Sequence, residues 1–296
     1  MTPPLDRPGW ALDPAPAGDL LSENIPRGSG GAQPPVAADP RYIPAPLPLL
    51  WSLRAAVFYV WIALVTLFMG LWWLPKVRRD PQNAHVLPVI WTGRLLAAAR
   101  AILGVSVELR GTPPTQDCII AAKHQSFLDI LAIAHAVPQC AFIMKREVLR
   151  VPVMGYYARK AGCIPIDRSR GAEAMSRIIT EIEASRADAD GLGQLIIYPE
   201  GTRTRPGERR KYKHGVGTIQ TATGLPVCPV AVNCGMFWPR DGLRVRPGRA
   251  VIEFLDPVVP GATSAETVHR VERLVEAASD RLMQEAGFDP DRGQPG

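Results

Sequence analysis

The strongest constraint on this chain is AAVFYVWIALVTLFMGLWWLP, 21 residues from Ala55 to Pro75 without a charge. As an α-helix it is about 30 Å long, the thickness of a bilayer's hydrocarbon core. Trp51, Trp72 and Trp73 lie near its ends, where indole rings anchor at a membrane–water interface. Lys76, Arg78 and Arg79 follow at once, whereas only Arg41 and Arg54 flank the other side, so the positive-inside rule predicts a cytoplasmic downstream domain. The competing reading is a core helix of a soluble protein, but such helices are rarely this long and unbroken. A second apolar stretch, Val86 to Leu103, carries Arg94 and Arg100. It is expected to lie along the interface, or to pair with the first stretch as a hairpin dipped into one leaflet. Membrane attachment is the expectation, and a spanning helix and a one-leaflet hairpin both satisfy it.

Upstream, nine prolines fall in the first 40 residues beside Gly28, Gly30 and Gly31, without apolar periodicity. Residues 1–45 therefore read as a disordered tail, and their start does not read as a cleaved secretory signal. Residues 46–104 read as membrane-associated helices, 105–287 as an α/β domain and 288–296 as a C-terminal tail. The five cysteines form no CxxC pair, and three sit in apolar strand-like runs. Buried free thiols are expected, with no disulfide framework and no metal site. The formal charge of +6 fits an anionic partner without choosing one.

After residue 105 two periods alternate. VSVELR (105–110), DCIIAA (117–122), CAFIM (140–144), QLIIYP (194–199), LPVCPVAV (225–232) and AVIEFL (250–255) read as strands. Phe127–Val137, Val153–Ala161, Ala172–Ala187 and His214–Thr223 read as helices. A last helix opens on the capping-box pair Thr263 and Glu266, runs its apolar stripe through Val268, Val271, Val275 and Leu282, and stops at Gly287. The fold class is α/β, a mostly buried central sheet flanked by helices, preceded by the membrane-associated helix or helix pair.

One stretch breaks the apolar pattern. AAKHQSFLDI, residues 121–130, sets Lys123, His124, Gln125 and Ser126 at the end of a strand-like run, with Asp129 five positions past the histidine. On one regular helix those two would lie about 140° apart. The spacing works if His124 precedes the helix and Asp129 lies in its first turn, with Ser126 as N-cap. In the bland version of that geometry Asp129 is only a capping acid. Two further strand ends carry charge: GCIPIDR, ending in Asp167 and Arg168, and YPEGTR, with Glu200 and Arg203. LPVCPV, 225–230, completes the set.

These four blocks, in this order, resemble the glycerolipid acyltransferase family, specifically the bacterial lysophosphatidate acyltransferases. The resemblance covers about residues 50–285 and rests on His124-Gln-Ser-Phe-Leu-Asp129, GCIPIDR, EGTR and the LPVCPV strand. It implies transfer of an acyl chain from a thioester to the sn-2 hydroxyl of lysophosphatidic acid, forming phosphatidic acid at the inner (cytoplasmic) membrane. His124 and Asp129 are then catalytic: a glycerol hydroxyl needs a base, and the carboxylate orients the imidazole. Arg203, helped by Lys145 and Arg168, binds the phosphate; Glu200, Gly201 and Thr202 support, with Glu200 expected to hold Arg203 or the turn. Backbone N–H groups near Gly201 or in the fourth block are candidate oxyanion donors. Tyr198 stands where the family usually has phenylalanine, and Pro165 sits inside the second block; neither is expected to touch the chemistry. No cofactor is implied beyond acyl-CoA or an acidic acyl carrier protein as co-substrate.

From Arg203 to Lys213 six bases face one acid. The run reads either as a solvated loop or as a contact for anionic membrane phospholipid or the carrier protein. Rival functions are acylation of another lyso-lipid, such as lyso-ornithine lipid, ester hydrolysis, and a non-enzymatic basic protein docked on membranes or nucleic acid. The missing GxSxG elbow argues against the hydrolase. Nucleic acid is not an expected partner, since RNP, KH and helix-turn-helix signatures are absent.

Overall fold

The computed structural model describes residues 49–289 apart from 152, 167–170, 189–190, 241, 243 and 261–262, and the backbone alone of 49, 50, 145, 171 and 172. The expected tail 1–45 lies outside them. Where apolar residues run without interruption the chain forms strands, and in the described residues these number seven: β1 Val105–Arg110, β2 Cys118–Ala122, β3 Cys140–Lys145, β4 Ile164–Ile166, β5 Gln194–Ile197, β6 Val227–Val232 and β7 Gly248–Phe254. They form one sheet in the order β1-β7-β6-β2-β5-β3-β4. The block β6-β2-β5-β3-β4 is parallel, with Ile119 opposite both Leu195 and Val227. β7 runs antiparallel to β6 and carries β1 parallel to itself.

Every residue of β2 and β6 is buried, as strands covered on both faces require. Cys118, Ile120 and Ala122 face one apolar layer, and Ile119 and Ala121 the other. The first layer is closed by α1 (Leu49–Arg79), α2 (Asn83–Ala98) and α3 (Phe127–Ala136), the second by α5 (Gly171–Ala187), α6 (Gly215–Thr223) and α7 (Ser264–Glu285). α4 (Met154–Lys160) docks on α1, where the Tyr157 hydroxyl donates to the Gly70 carbonyl at 2.6 Å. Thr263 and Glu266 close the capping box at the start of α7. Phe288, expected in the C-terminal tail, is buried against Met236 and Met283.

The two apolar N-terminal stretches are both helical. α2 continues through a π-turn, Ala99–Leu103, and Trp91 Nε1 ties it to Thr66 of α1 at 3.0 Å. Residues 51–79 and 83–103 are each long and apolar enough to cross a membrane, by length and composition. α1 is two-sided. Ala55, Phe58, Met69, Trp73 and Val77 are buried, Phe58 edge-on to Trp238 with centroids 5.3 Å apart. Leu53, Val57, Val60, Leu64, Leu67, Phe68, Leu71 and Trp72 are each more than half exposed. Water does not favour such a stripe. Four of the five cysteines are buried, and all are free.

Candidate active site

In a parallel block, groups from different strands meet at the carboxyl edge, beyond the strand ends. β2 runs into Lys123 and His124, β5 into Tyr198–Arg203, and β6 into Asn233 and Cys234. His124 lies ahead of α3. Ser126, extended at φ −147° and ψ 172°, caps that helix with its Oγ accepting the Leu128 N–H at 3.0 Å. Asp129 at the third helical position completes the capping box.

Capping and orienting, set against each other on sequence grounds, are both done by Asp129. Oδ2 accepts the N–H groups of Gln125 at 2.8 Å and Ser126 at 2.7 Å, while Oδ1 lies 3.0 Å from His124 Nδ1. The carboxylate is wholly buried, and these donors replace its water. In the neutral ring this contact favours the tautomer with the proton on Nδ1, so Nε2 is the nitrogen placed to act as a base.

The backbone of His124 is clamped from the β5 turn. Glu200 Oε2 accepts its N–H at 2.8 Å, and the Thr204 N–H donates to its carbonyl at 2.7 Å. Of the two tasks expected of Glu200, holding Arg203 or the turn, it performs the second. Its other oxygen meets Lys123 Nζ at 3.0 Å and the Thr204 hydroxyl at 3.0 Å. Lys123, 1% exposed, also reaches both oxygens of Glu276 on α7 at 2.8 Å, and Tyr212 donates to Glu276 at 3.0 Å. One buried cation thus joins two buried carboxylates. Burial raises the Glu200 carboxyl above its ordinary range, and Lys123 offsets this only in part.

Tyr198 was not expected to touch the chemistry, yet it lies against the candidate base. Its ring stacks on the His124 imidazole, centroids 3.9 Å apart and planes at 22°. Its hydroxyl is buried without a hydrogen-bond partner among the described residues. Burial, with the Asp129 charge nearby, holds that phenol well above its usual range, so it stays neutral. The Gly201 N–H is spent on the Tyr198 carbonyl at 2.9 Å and is no open oxyanion donor. Thr202 and Arg203 have no internal hydrogen-bond acceptor for their N–H groups among the described residues.

His124 lines a cavity of ≈ 690 Å³. Its walls are largely apolar, including Trp91, Phe127, Ile130, Phe142, Met144 and Ile178, while Thr202, Arg203 and Lys213 add polarity beside the histidine. That volume suits an extended organic ligand. Asp167 and Arg168 lie outside the described residues, as does the side chain of Lys145. Sequence reasoning missed Tyr198, Lys213, Lys123 and Glu276. A lysine following five buried strand residues signals a buried charge needing an acid, but nothing local says that the acid stands at 276.

A base oriented by a buried carboxylate and opening on an apolar cavity defines a class, the transferases and hydrolases that deprotonate a hydroxyl beside a long apolar substrate. Comparison narrows it. A family model described as Acyltransferase matches residues 105–233. The 1-acyl-sn-glycerol-3-phosphate acyltransferase alpha of Mus musculus is 31% identical over 245 residues, 80% of this chain and 82% of that protein. The 1-acyl-sn-glycerol-3-phosphate acyltransferase of Pseudomonas aeruginosa is 30% identical over 160 residues, 53% of this chain and 61% of that one. Among solved structures, the 1-acyl-sn-glycerophosphate (LPA) acyltransferase PlsC from Thermotoga maritima superposes with a TM-score of 0.66 at 26% identity, covering 79% of this chain and 95% of its own. The chain belongs to the 1-acyl-sn-glycerol-3-phosphate acyltransferase family.

Proposed function

We propose that the chain transfers an acyl group from a thioester to the sn-2 hydroxyl of lysophosphatidic acid, giving phosphatidic acid for phospholipid synthesis. The observation that carries this is the Asp129–His124 couple on an apolar cavity that also holds Arg203. His124 Nε2 takes the hydroxyl proton as the oxygen attacks the thioester carbonyl. Asp129 stabilises the imidazolium through Nδ1–H. The tetrahedral intermediate carries its negative charge on oxygen, and the N–H groups of Thr202 and Arg203 are the candidate donors to it. Collapse breaks the C–S bond, and the departing thiolate takes the proton from the imidazolium.

Arg203 suits the acceptor's phosphate because its planar fork gives two charge-assisted hydrogen bonds. Lys145 and Arg168 are proposed as its helpers. The thioester is acyl-CoA or an acyl group on an acidic carrier protein, and the chemistry needs no further cofactor. The exposed stripe of α1 supports seating on phospholipid, and Lys76, Arg78 and Arg79 at its end support a cytoplasmic-membrane location with the catalytic domain on the cytoplasmic side. Purified protein given oleoyl thioester and a panel of lyso-lipids tests the reading. Acylation confined to lysophosphatidic acid upholds it, and preference for lyso-ornithine lipid rejects the acceptor while keeping the chemistry.

A further inference from the structure

We infer that Lys213 is a second cation of the acceptor's phosphate site, acting as a pair with Arg203. This rests on the proposed acceptor. The basic run from Arg203 to Lys213 divides in the fold. Arg209 pairs with Asp280 of α7, and Arg210 Nε with Glu208 at 2.8 Å. Arg205 and Lys211 pair with no acid among the described residues and do not line the cavity, so it is the cavity that sets the two ends of the run apart. Arg203 and Lys213 both line the cavity beside His124, and among the described residues neither pairs with an acid.

Local packing brings those ends together. The Lys213 N–H donates to the Pro199 carbonyl at 3.0 Å, which closes 199–213 into a loop. Tyr212, 1% exposed, anchors the preceding residue through its hydroxyl on Glu276. The Lys213 arm then lies across Gly201, where an added Cβ would stand 2.7 Å from Nζ. Gly201 has φ +71°, a conformation that already favours glycine, and its bare α-carbon also leaves room for the ammonium.

The charge arithmetic favours two cations. A phosphate monoester carries about 1.5–2 negative charges at pH 7. One guanidinium neutralises one charge and fixes orientation, and an ammonium adds three rotatable donors on the open side. The pair is also tied to the base: Thr204, next to Arg203, holds the His124 carbonyl at 2.7 Å. One loop therefore sets both the phosphate and the histidine, so an acceptor held by its phosphate is placed relative to the group that deprotonates it.

The test measures acceptor and thioester KM separately for wild type, Lys213→Ala, Lys213→Arg, Arg203→Ala and the double alanine variant, in mixed micelles. Lys213→Ala should raise the acceptor KM about ten-fold, the scale of one hydrogen bond to a charged group. Lys213→Arg should recover most of it, and the thioester KM should stay put. Because Lys213 is exposed, its Tm should not move. The double variant should lose less than the product of the single losses, as partners on one ligand do. An unchanged acceptor KM in Lys213→Ala, with Arg203→Ala impaired, overturns this inference alone. A wild type that ignores lysophosphatidic acid overturns the acceptor reading and this inference with it.

Discussion

Because Asp129 accepts three N–H groups with no contact with solvent, replacing it with Asn separates charge from shape. An amide keeps one acceptor oxygen and loses the anion that stabilises imidazolium, so kcat should fall by about 10²–10⁴. Folding should weaken by only about 1 kcal/mol, the value of a helix cap; steady-state kinetics beside a urea melt checks both. Tyr198 is separable in the same way. Tyr198→Phe keeps the ring on His124 and removes a buried hydroxyl that has no hydrogen-bond partner among the described residues, so Tm should hold or rise while activity persists. Tyr198→Leu removes the flat platform, and kcat should drop without a matching change in either KM. Equal activity in the two variants would deny the ring any role. Lys123→Met strands two buried carboxylates and should destabilise by about 3–5 kcal/mol in a urea melt. Glu276→Gln leaves Lys123 and Glu200 paired one to one and should cost far less.

At the scale of elements, α7 is fastened to the sheet at its far end by charge. Arg110 of β1 bonds Glu108 at 2.8 Å and Glu285 at 2.7 Å, holding both carboxyls below their ordinary range. For a lowered acid the sign is fixed: the contribution is complete above the ordinary value of 4.5 and is lost as pH falls through the lowered folded values. Arg110→Ala should therefore cost stability at pH 6 and much less at pH 3, read from urea midpoints at the two pH values. α1 calls for a different probe. Deleting it would strip Phe58 and Trp73 from the core as well as the outer stripe. Changing Leu64, Phe68 and Trp72 together to Gln alters the exposed side alone, and should lower vesicle binding with Tm unchanged. Retained binding would move the membrane contact elsewhere.

Across the whole molecule, the elements were legible in the chain because their periods are local. The α3 capping box was visible in SFLD, and the strand runs of β2 and β6 in unbroken apolar residues. The sheet order was not, since β7 joins the parallel block in reverse and brings β1 with it, a matter of tertiary pairing. His124, Asp129 and Arg203 stood in spaced blocks and could be named. Glu276 could not be linked to Lys123, 153 positions away, and Tyr198 read as a harmless departure until its ring lay on the imidazole. What unites the molecule is a single claim, that His124 deprotonates lysophosphatidic acid for attack on a thioester. The most direct measurement is phosphatidic acid formation from labelled oleoyl thioester by purified wild type and His124→Ala, with host acyltransferase excluded. Wild type should form labelled phosphatidic acid, and His124→Ala none above background at an unchanged Tm. Phosphatidic acid formed by His124→Ala at the wild-type rate would contradict the account.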